Sequence, residues 1–274
     1  MTPAQMTRAA MTEAQLDVAQ AAARAAALAA GALQRQHLGA PATHKGEVDL
    51  VTAIDLESER IIRAALTAAT PEVPILAEEG GGAWSSPTRW IVDPLDGTTN
   101  FVHGLPHFAV SIALQIEGEL ALGLVYDPCR DELFEARRGA GLTLNGRPVG
   151  VSARDSLNDC IIASGFPYDR RQRAAFYLGL VRVILEHTQG FRRAGAAALD
   201  LAWVACGRLD AYFEIGLSPW DVAAGALLVT EGGGRVSETE LGPLNLDKPR
   251  ILASNGRVHE ALAALLAPHL DDPR

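Results

Sequence analysis

The sequence predicts a mixed fold, α+β in its first half and α/β in its second. Three observations carry this. Between residues 13 and 150, two helical patterns precede short β-branched segments joined by hairpin turns. From about residue 151 onward, short apolar segments alternate with helical patterns, as strands covered by helices do. The chain has 274 residues, 48% of them hydrophobic, which is ample for a large core. No low-complexity linker or fixed-period repeat divides it. Residues 1–274 therefore read as one domain with a weak internal division near 150, separating 13–150 from 151–274.

Residues 1 to about 12 read as a loose terminus. The alanine-rich stretch 13–36, with Leu16, Val18, Ala22, Leu28 and Leu33 available to pack, predicts one helix. His44-Lys45-Gly46-Glu47 is a polar loop, and 49–54 a short extended stretch. Asp55 stands where an N-cap is expected, before a helix of about 56–69. Residues 74–77 form a short strand running into Glu78-Glu79 and Gly80-Gly81-Gly82. Residues 89–92 are apolar and β-branched enough for a buried strand. Pro94 should end it, because proline has no N–H for the ladder. Strands at 108–116 and 120–126 flank a Glu117-Gly118-Glu119 turn. Strands at 133–136 and 141–144 follow, with a turn at Asn145-Gly146. In the second half, 160–164 reads as a strand and 171–186 as an amphipathic helix. Residues 195–205 read as an apolar helix stopped by Gly207, and 210–214 as a strand. Ser218-Pro219 starts a helix through Thr230, which Gly232-Gly233-Gly234 ends. A late strand at 251–254 and a last helix at 259–266 complete the chain.

The formal net charge is −9, and the only basic cluster is the short Arg170-Arg171-Gln172-Arg173. That balance argues against a direct nucleic-acid surface. Cys129, Cys160 and Cys206 are odd in number, far apart and outside any C-x-x-C spacing. They argue against a disulfide framework or a zinc site and fit a reducing cytoplasm. The longest apolar run near the N-terminus, 25–33, is too short to span a bilayer. It follows Glu13, Asp17 and Arg24, unlike a signal peptide, so no membrane partner is expected. There is no G-x-x-x-x-G-K-[ST] phosphate loop, and the triple glycine follows a helix instead of opening one. His103 and His107 are four apart without an acid pattern, and read as solvated or core histidines.

Most of the chemistry lies in Trp90-Ile91-Val92-Asp93-Pro94-Leu95-Asp96-Gly97-Thr98-Thr99-Asn100-Phe101. In a plain strand, residues three apart point to opposite faces. A turn at Pro94-Leu95 can bring Asp93 and Asp96 to the same side. Gly97-Thr98-Thr99 adds flexible backbone, N–H donors and two hydroxyls. Hard cations take the carboxylates and a freed Leu95 carbonyl, and phosphate takes the N–H donors. A bare D-x-x-D would read as a turn with its acids capping backbone. The whole string resembles the metal-binding signature of the inositol monophosphatase family, a branch of the Mg2+-dependent, Li+-sensitive phosphatases. Trp220-Asp221-Val222-Ala223-Ala224-Gly225, followed by Glu231-Gly232-Gly233-Gly234, resembles its second motif. The resemblance runs from about Leu16 to Leu266.

The resemblance implies a layered αβαβα sandwich, a homodimer, and hydrolysis of a phosphorylated polyol, foremost myo-inositol monophosphate. It implies two or three Mg2+ ions held by Glu78, Asp93, Asp96, Asp221 and the backbone carbonyl of Leu95. Glu78 is the first of the family's Glu-Glu pair, although Ala77 stands where glycine is commoner. Thr98 matches the threonine that activates the attacking water, and Asp55 the acid that orients it. The N–H groups of Gly97 and Thr98 would hold phosphate oxygens. Glu214 matches an acid that accepts inositol hydroxyls. Gly195 and Ala197 match positions facing the ring at a helix N-terminus. Ala196 replaces the commoner serine or threonine and so removes a hydroxyl contact. Lys45 is displaced by one from a family lysine and is left out of the site.

The implied chemistry is consistent with the composition. Phosphate monoesters hydrolyse very slowly, and divalent cations offset the charge of phosphate and of an acidic chain. Plainer readings stand beside these roles. Asp55 can be only a cap, Asp221 an acid complementing a helix macrodipole, and Glu214 a solvated strand end. Asp200, alone in an apolar helix, reads as structural, meeting an arginine such as Arg193. Fructose-1,6-bisphosphate, histidinol phosphate and nucleotide 3′-phosphate are rival substrates that share the fold and metal motifs. A regulatory protein contacting RNA polymerase or RNA on the same scaffold is a reading of another class. The intact acid set and the acidic balance weigh against it.

Overall fold

The computed structural model describes residues 11–44 and 50–270. Residues 1–10 of the loose terminus, Lys45, Gly46 and Glu47 of the polar loop, and Asp49 lie outside the described residues. Helices α1 (Glu13–Gln36) and α2 (Ala53–Ala69) open the chain, each capped by a threonine, Thr12 and Thr52. Strands β1 (Ala42–His44) and β2 (Leu50–Thr52) pair as a small antiparallel ribbon before α2. The cap of α2 differs from the sequence expectation: it is Thr52, and Asp55 lies at the third helical position. The Thr52 hydroxyl accepts the Ile54 N–H at 3.0 Å and the Asp55 N–H at 3.3 Å, while Asp55 Oδ2 accepts the Thr52 N–H at 2.9 Å. This reciprocal box satisfies donors on both sides of the helix start, which Asp55 alone could not do.

The larger sheet contains β3 (Ile75–Ala77), β4 (Gly81–Gly82), β5 (Arg89–Asp96), β6 (Ala109–Ile116), β7 (Glu119–Asp127), β8 (Glu132–Arg137), β9 (Gly141–Leu144) and β10 (Arg147–Pro148). Its order is β10-β9-β8-β7-β6-β5-β3-β4, antiparallel except where β3 runs parallel to β5. Glu117-Gly118 and Asn145-Gly146 have positive φ at both residues, the turn geometry that matches strand twist in tight hairpins. Pro94 does not end β5. The strand continues to Asp96 through a register shift, with Asp93 opposite Ser111 and Asp96 opposite Ala109. Three steps on β5 against two on β6 make a bulge, and a bulge tolerates proline. The short helix α3 (Thr98–Val102), not expected from the sequence, follows at once.

The smaller sheet contains β11 (Ile161–Ser164), β12 (Gly190–Arg192), β13 (Ala211–Ile215), β14 (Arg235–Glu238) and β15 (Arg250–Ser254), in the order β12-β11-β13-β15-β14. Strands β12 and β14 are its edges and carry few apolar residues, so neither stands out in the sequence. Helices α4 (Ala174–His187), α5 (Ala197–Ala205), α6 (Pro219–Glu231) and α7 (His259–Leu266) complete the fold. Helix α5 starts two residues later than the sequence suggests, because Gly195 adopts φ +91° and cannot lie in the helix. Helix α4 starts at Ala174, after the Arg170–Arg173 cluster.

Alternation along the strands builds five layers. Trp90 and Val92 of β5 pack with Ala23 and Ala27 of α1 and Ile62 of α2. Ile91 between them faces the other way, towards α5 and α6. Those two helices also pack against Tyr212 and Ala253 of the smaller sheet. Ile162 and Phe213 on its far face pack with Leu180 of α4 and Leu262 of α7. The result is an αβαβα sandwich. Close approach at its centre requires bare backbone: a Cβ on Gly123 would stand 2.8 Å from the Ala224 carbonyl oxygen. By length and composition alone α1 could cross a membrane. In the fold its small side chains pack on α2 and the sheet, and Arg24 pairs with Glu135 of β8 at 2.8 Å.

Candidate metal centre and active site

The bulge in β5 is what creates the site. It resets the side-chain alternation, so that Asp93 and Asp96 reach one corner although they are three residues apart. Asp221 arrives from the third position of α6. One carboxylate oxygen from each of the three lies within 4.8 Å of the others. Each acid is also anchored. Asp93 Oδ1 accepts the Leu95 N–H at 2.9 Å. Asp96 Oδ2 accepts the Ala198 N–H at 2.7 Å, at the start of α5. Asp221 Oδ2 accepts the Ser218 N–H at 2.6 Å. Asp221 therefore combines a helix-capping contact with a place in the cluster.

The electrostatics follow from packing like charges where water is scarce. Burial pushes the Asp93 carboxyl well above the usual carboxylate range, with the charges of Glu78, Asp96 and Asp221 adding to it. Burial lifts Asp96 to about 7, opposed by the Ala198 N–H and reinforced by Glu78. Burial likewise raises Asp221 well above its ordinary value, and Asp96 adds to it. Glu78, on the turn after β3, is thus within electrostatic reach of all three. Among the described residues no lysine or arginine forms an ion pair with Asp93, Asp96 or Asp221. Clustered hard oxygens that resist shedding their protons fit a divalent cation, whose charge would relieve the repulsion.

Beside the cluster, Thr98 Oγ1 lies 3.0 Å from Asp55 Oδ1 and 3.2 Å from the Leu95 carbonyl oxygen. The capping box explains this: Asp55 spends Oδ2 on Thr52 and keeps Oδ1 for Thr98. Burial raises the Asp55 carboxyl, and the Thr52 and Thr98 hydrogen bonds oppose that. Gly97 precedes Thr98 with φ +95°. A Cβ there would stand 3.1 Å from the His107 carbonyl oxygen and 3.2 Å from Ala196 Cβ. Gly195 lies against the same backbone.

The expected substrate side is only partly assembled around these groups. Glu214, on β13, is buried, and its Oε2 accepts the Tyr212 hydroxyl at 2.5 Å. Burial lifts Glu214 to about 7, opposed by Tyr212 and by the Arg193 charge. The Ala197 N–H faces the Asp96 carboxylate, as does that of Ala198. The expected Asp200–Arg193 pairing is absent among the described residues. Arg193 lies over the Phe166 ring, 5.7 Å from its centroid. Asp200 is 2% exposed, and its Oδ1 has no hydrogen-bond partner among the described residues. Burial raises its carboxyl well above the usual range, with Glu214 and Asp96 adding to it and the Arg193 charge opposing.

Two further residues hold the corner, and the sequence motifs give neither of them a role. Asn100 Nδ2 donates to the carbonyls of His107 at 2.8 Å and Ala194 at 2.9 Å, tying α3 to the turn before α5. Its place inside the Asp-Gly-Thr-Thr-Asn string was the available signal. Gln34 Nε2 donates to the Pro94 carbonyl at 2.6 Å and pins the bulge from α1. Nothing in its local sequence marks it.

A model of the inositol monophosphatase family matches residues 10–271. The Nus factor SuhB of Pseudomonas aeruginosa is 48% identical over 232 residues, covering 82% of this chain and 86% of that protein. The inositol-1-monophosphatase of Synechocystis sp. is 47% identical over 221 residues, covering 80% of this chain and 77% of that protein. The crystal structure of the extragenic suppressor protein suhB from Bartonella henselae superposes with a TM-score of 0.86 at 42% identity. It covers 93% of this chain and 98% of its own.

Proposed function

The chain belongs to the inositol monophosphatase family, and from that premise we propose a Mg2+-dependent phosphatase whose substrate is myo-inositol monophosphate. The family supports phosphatase activity; the substrate and the metal are our reading. The observation that carries it is the convergence of Asp93, Asp96 and Asp221 within 4.8 Å, beside the Thr98–Asp55 pair. With Glu78 and the Leu95 carbonyl, these acids would hold two or three Mg2+ ions. When bound, Mg2+ supplies Lewis-acid stabilisation of phosphoryl charge and lowers the pKa of water.

The chain's own groups do the rest. The Gly97 and Thr98 N–H groups hold phosphate oxygens. Asp55 fixes the Thr98 hydroxyl so that it orients the attacking water. Tyr212 occupies Glu214 Oε2 and leaves Oε1 to accept a ring hydroxyl. Ala196, Ala197 and Ala198 present no side-chain hydroxyl, so ring recognition falls mainly on Glu214. The protein works as a cytoplasmic homodimer. Fructose-1,6-bisphosphate, histidinol phosphate and nucleotide 3′-phosphate are the competing substrates. Phosphate release across these and inositol monophosphate, with EDTA, Mg2+ and millimolar Li+ arms, tests the reading. Turnover in EDTA equal to that in Mg2+ would refute the metal role.

A second reading is favoured by one observation: the relative at 48% identity is a Nus factor. On this reading the scaffold also contacts RNA polymerase or RNA. Retention of purified RNA polymerase on the immobilised protein, measured on the intact chain and on Asp221→Asn, separates that role from hydrolysis.

A further inference from the structure

We propose that Glu59, on α2, is a positioning residue for Glu78: its carboxylate, with Arg63, clamps the turn that carries this acid into the metal centre. The inference rests on the proposed metal role of Glu78. Glu59 is 5% exposed. Its Oε2 accepts the Glu79 N–H at 2.9 Å, and Oε1 accepts the Gly80 N–H at 3.0 Å. Those are the two residues after Glu78. Arg63 Nε donates to Glu59 Oε1 at 2.6 Å, and Arg63 Nη2 donates to the Gly81 carbonyl at 2.8 Å. The turn itself is Glu78-Glu79-Gly80, and the chain leaves it into β4, where Gly81 at φ +59° and Gly82 at φ +134° pair with Ala77 and Leu76 of β3. Gly80 adds no side chain of its own and lies against Glu59 and Arg63, so these two side chains grip the turn's backbone where β4 has not yet begun.

Residues four apart on a helix share a face. Asp55, Glu59 and Arg63 therefore form one stripe along α2. The first member orients Thr98, and the other two grip the Glu78 turn. One helix thus holds both the threonine hydroxyl and the turn that carries Glu78. A buried carboxylate needs partners wherever it lies. Here the partners are the N–H groups next to a candidate ligand, which points to positioning beyond stability.

The test is Mg2+ binding to the full chain by titration calorimetry, with Mg2+ dependence of turnover as a second readout. Glu59→Gln should weaken Mg2+ binding about tenfold or more, as loss of an outer partner of a metal ligand commonly does. Gly80→Ala attacks the clamp without changing any charge: its Cβ would stand 2.5 Å from Glu59 Oε1 and 2.9 Å from Arg63 Nη2. It should shift Mg2+ binding in the same direction, with kcat recovering at saturating Mg2+. Glu57→Gln, which breaks the exposed Glu57–Arg60 pair on the same helix, should bind as wild type does. Wild-type binding in Glu59→Gln or in Gly80→Ala, whatever their melting temperatures, would overturn the inference. Absence of Mg2+ binding in the wild type would instead overturn the metal reading, and the inference with it.

Discussion

Without metal, the protein should lose stability as pH rises from about 4 to about 7. Asp96 sets the magnitude. Its folded-state carboxyl lies at about 7 against an ordinary 3.8, chiefly because it is buried. An acid raised in this way binds its proton more tightly in the folded state. Its stabilising contribution is complete below the unfolded value and is lost as pH climbs through the folded one. At about 1.36 kcal/mol per pH unit across the window, Asp96 alone accounts for about 4 kcal/mol. Asp93, Asp221 and Glu214 are raised too and act in the same direction. A chain of this size moves by about 2–4 °C per kcal/mol, so the melting temperature should fall by roughly 10 °C. The assay is calorimetric melting in EDTA at pH 5, 6, 7 and 8, on wild type and Asp96→Asn. Asparagine keeps an acceptor for the Ala198 N–H but cannot ionise, so its slope should be shallower. Saturating Mg2+ should flatten the wild-type slope as well. A wild-type melting temperature that holds or rises in EDTA, or equal slopes for the two proteins, would refute this reasoning.

Three substitutions extend it. Asp221→Asn should leave the metal-free melting temperature at or above that of wild type, since asparagine still accepts the Ser218 N–H, while kcat collapses and the Mg2+ requirement rises; early melting with near-normal kcat would make Asp221 only a cap. Glu214→Gln should raise KM for inositol monophosphate well above any change for p-nitrophenyl phosphate. Loss of a hydrogen bond to a charged group costs about 1.5–3 kcal/mol, and equal KM changes would remove Glu214 from ring recognition. Asp200→Asn should leave stability at pH 5 nearly unchanged and raise it at pH 8, because Asp200 has a buried oxygen without a partner and no ion pair to lose; melting scans at both pH values check this.

The fold was legible wherever burial imposes a period. The alanine stripe of α1 shows one, the hairpin pairs Glu117-Gly118 and Asn145-Gly146 were legible as turn chemistry, and α5 as a continuous apolar run. Edge strands β12 and β14 were not legible, because an edge facing water needs no apolar run. The site was legible as a string of residue types, but its mechanism of assembly was not. Proline suggests a strand end at Pro94, whereas pairing with β6 resumes at Asp96 and β5 absorbs the mismatch as a bulge. The α2 cap was misplaced for a related reason: Thr52 and Asp55 both have capping chemistry, and only tertiary contact with Thr98 shows why Asp55 takes the third position. A lone acid in an apolar helix predicts an arginine partner for Asp200. The structure sets it in the field of Glu214 and Asp96, opposed by the Arg193 charge without a direct ion pair, which sequence spacing cannot reveal. Gln34 contacts a backbone carbonyl 60 residues away, and no local pattern encodes that.

The central claim is that the corner formed by Asp93, Asp96 and Asp221 is a divalent-cation centre. An anomalous difference map from a crystal soaked in Mn2+, taken as a stand-in for Mg2+, tests it directly. The expected result is a peak about 2.1 Å from carboxylate oxygens of all three acids, a ligand distance typical of a small hard cation, which disappears in Asp221→Asn at the same Mn2+ concentration. An empty corner in a crystal of the active protein, or a peak held elsewhere while these acids keep only their backbone contacts, would contradict it.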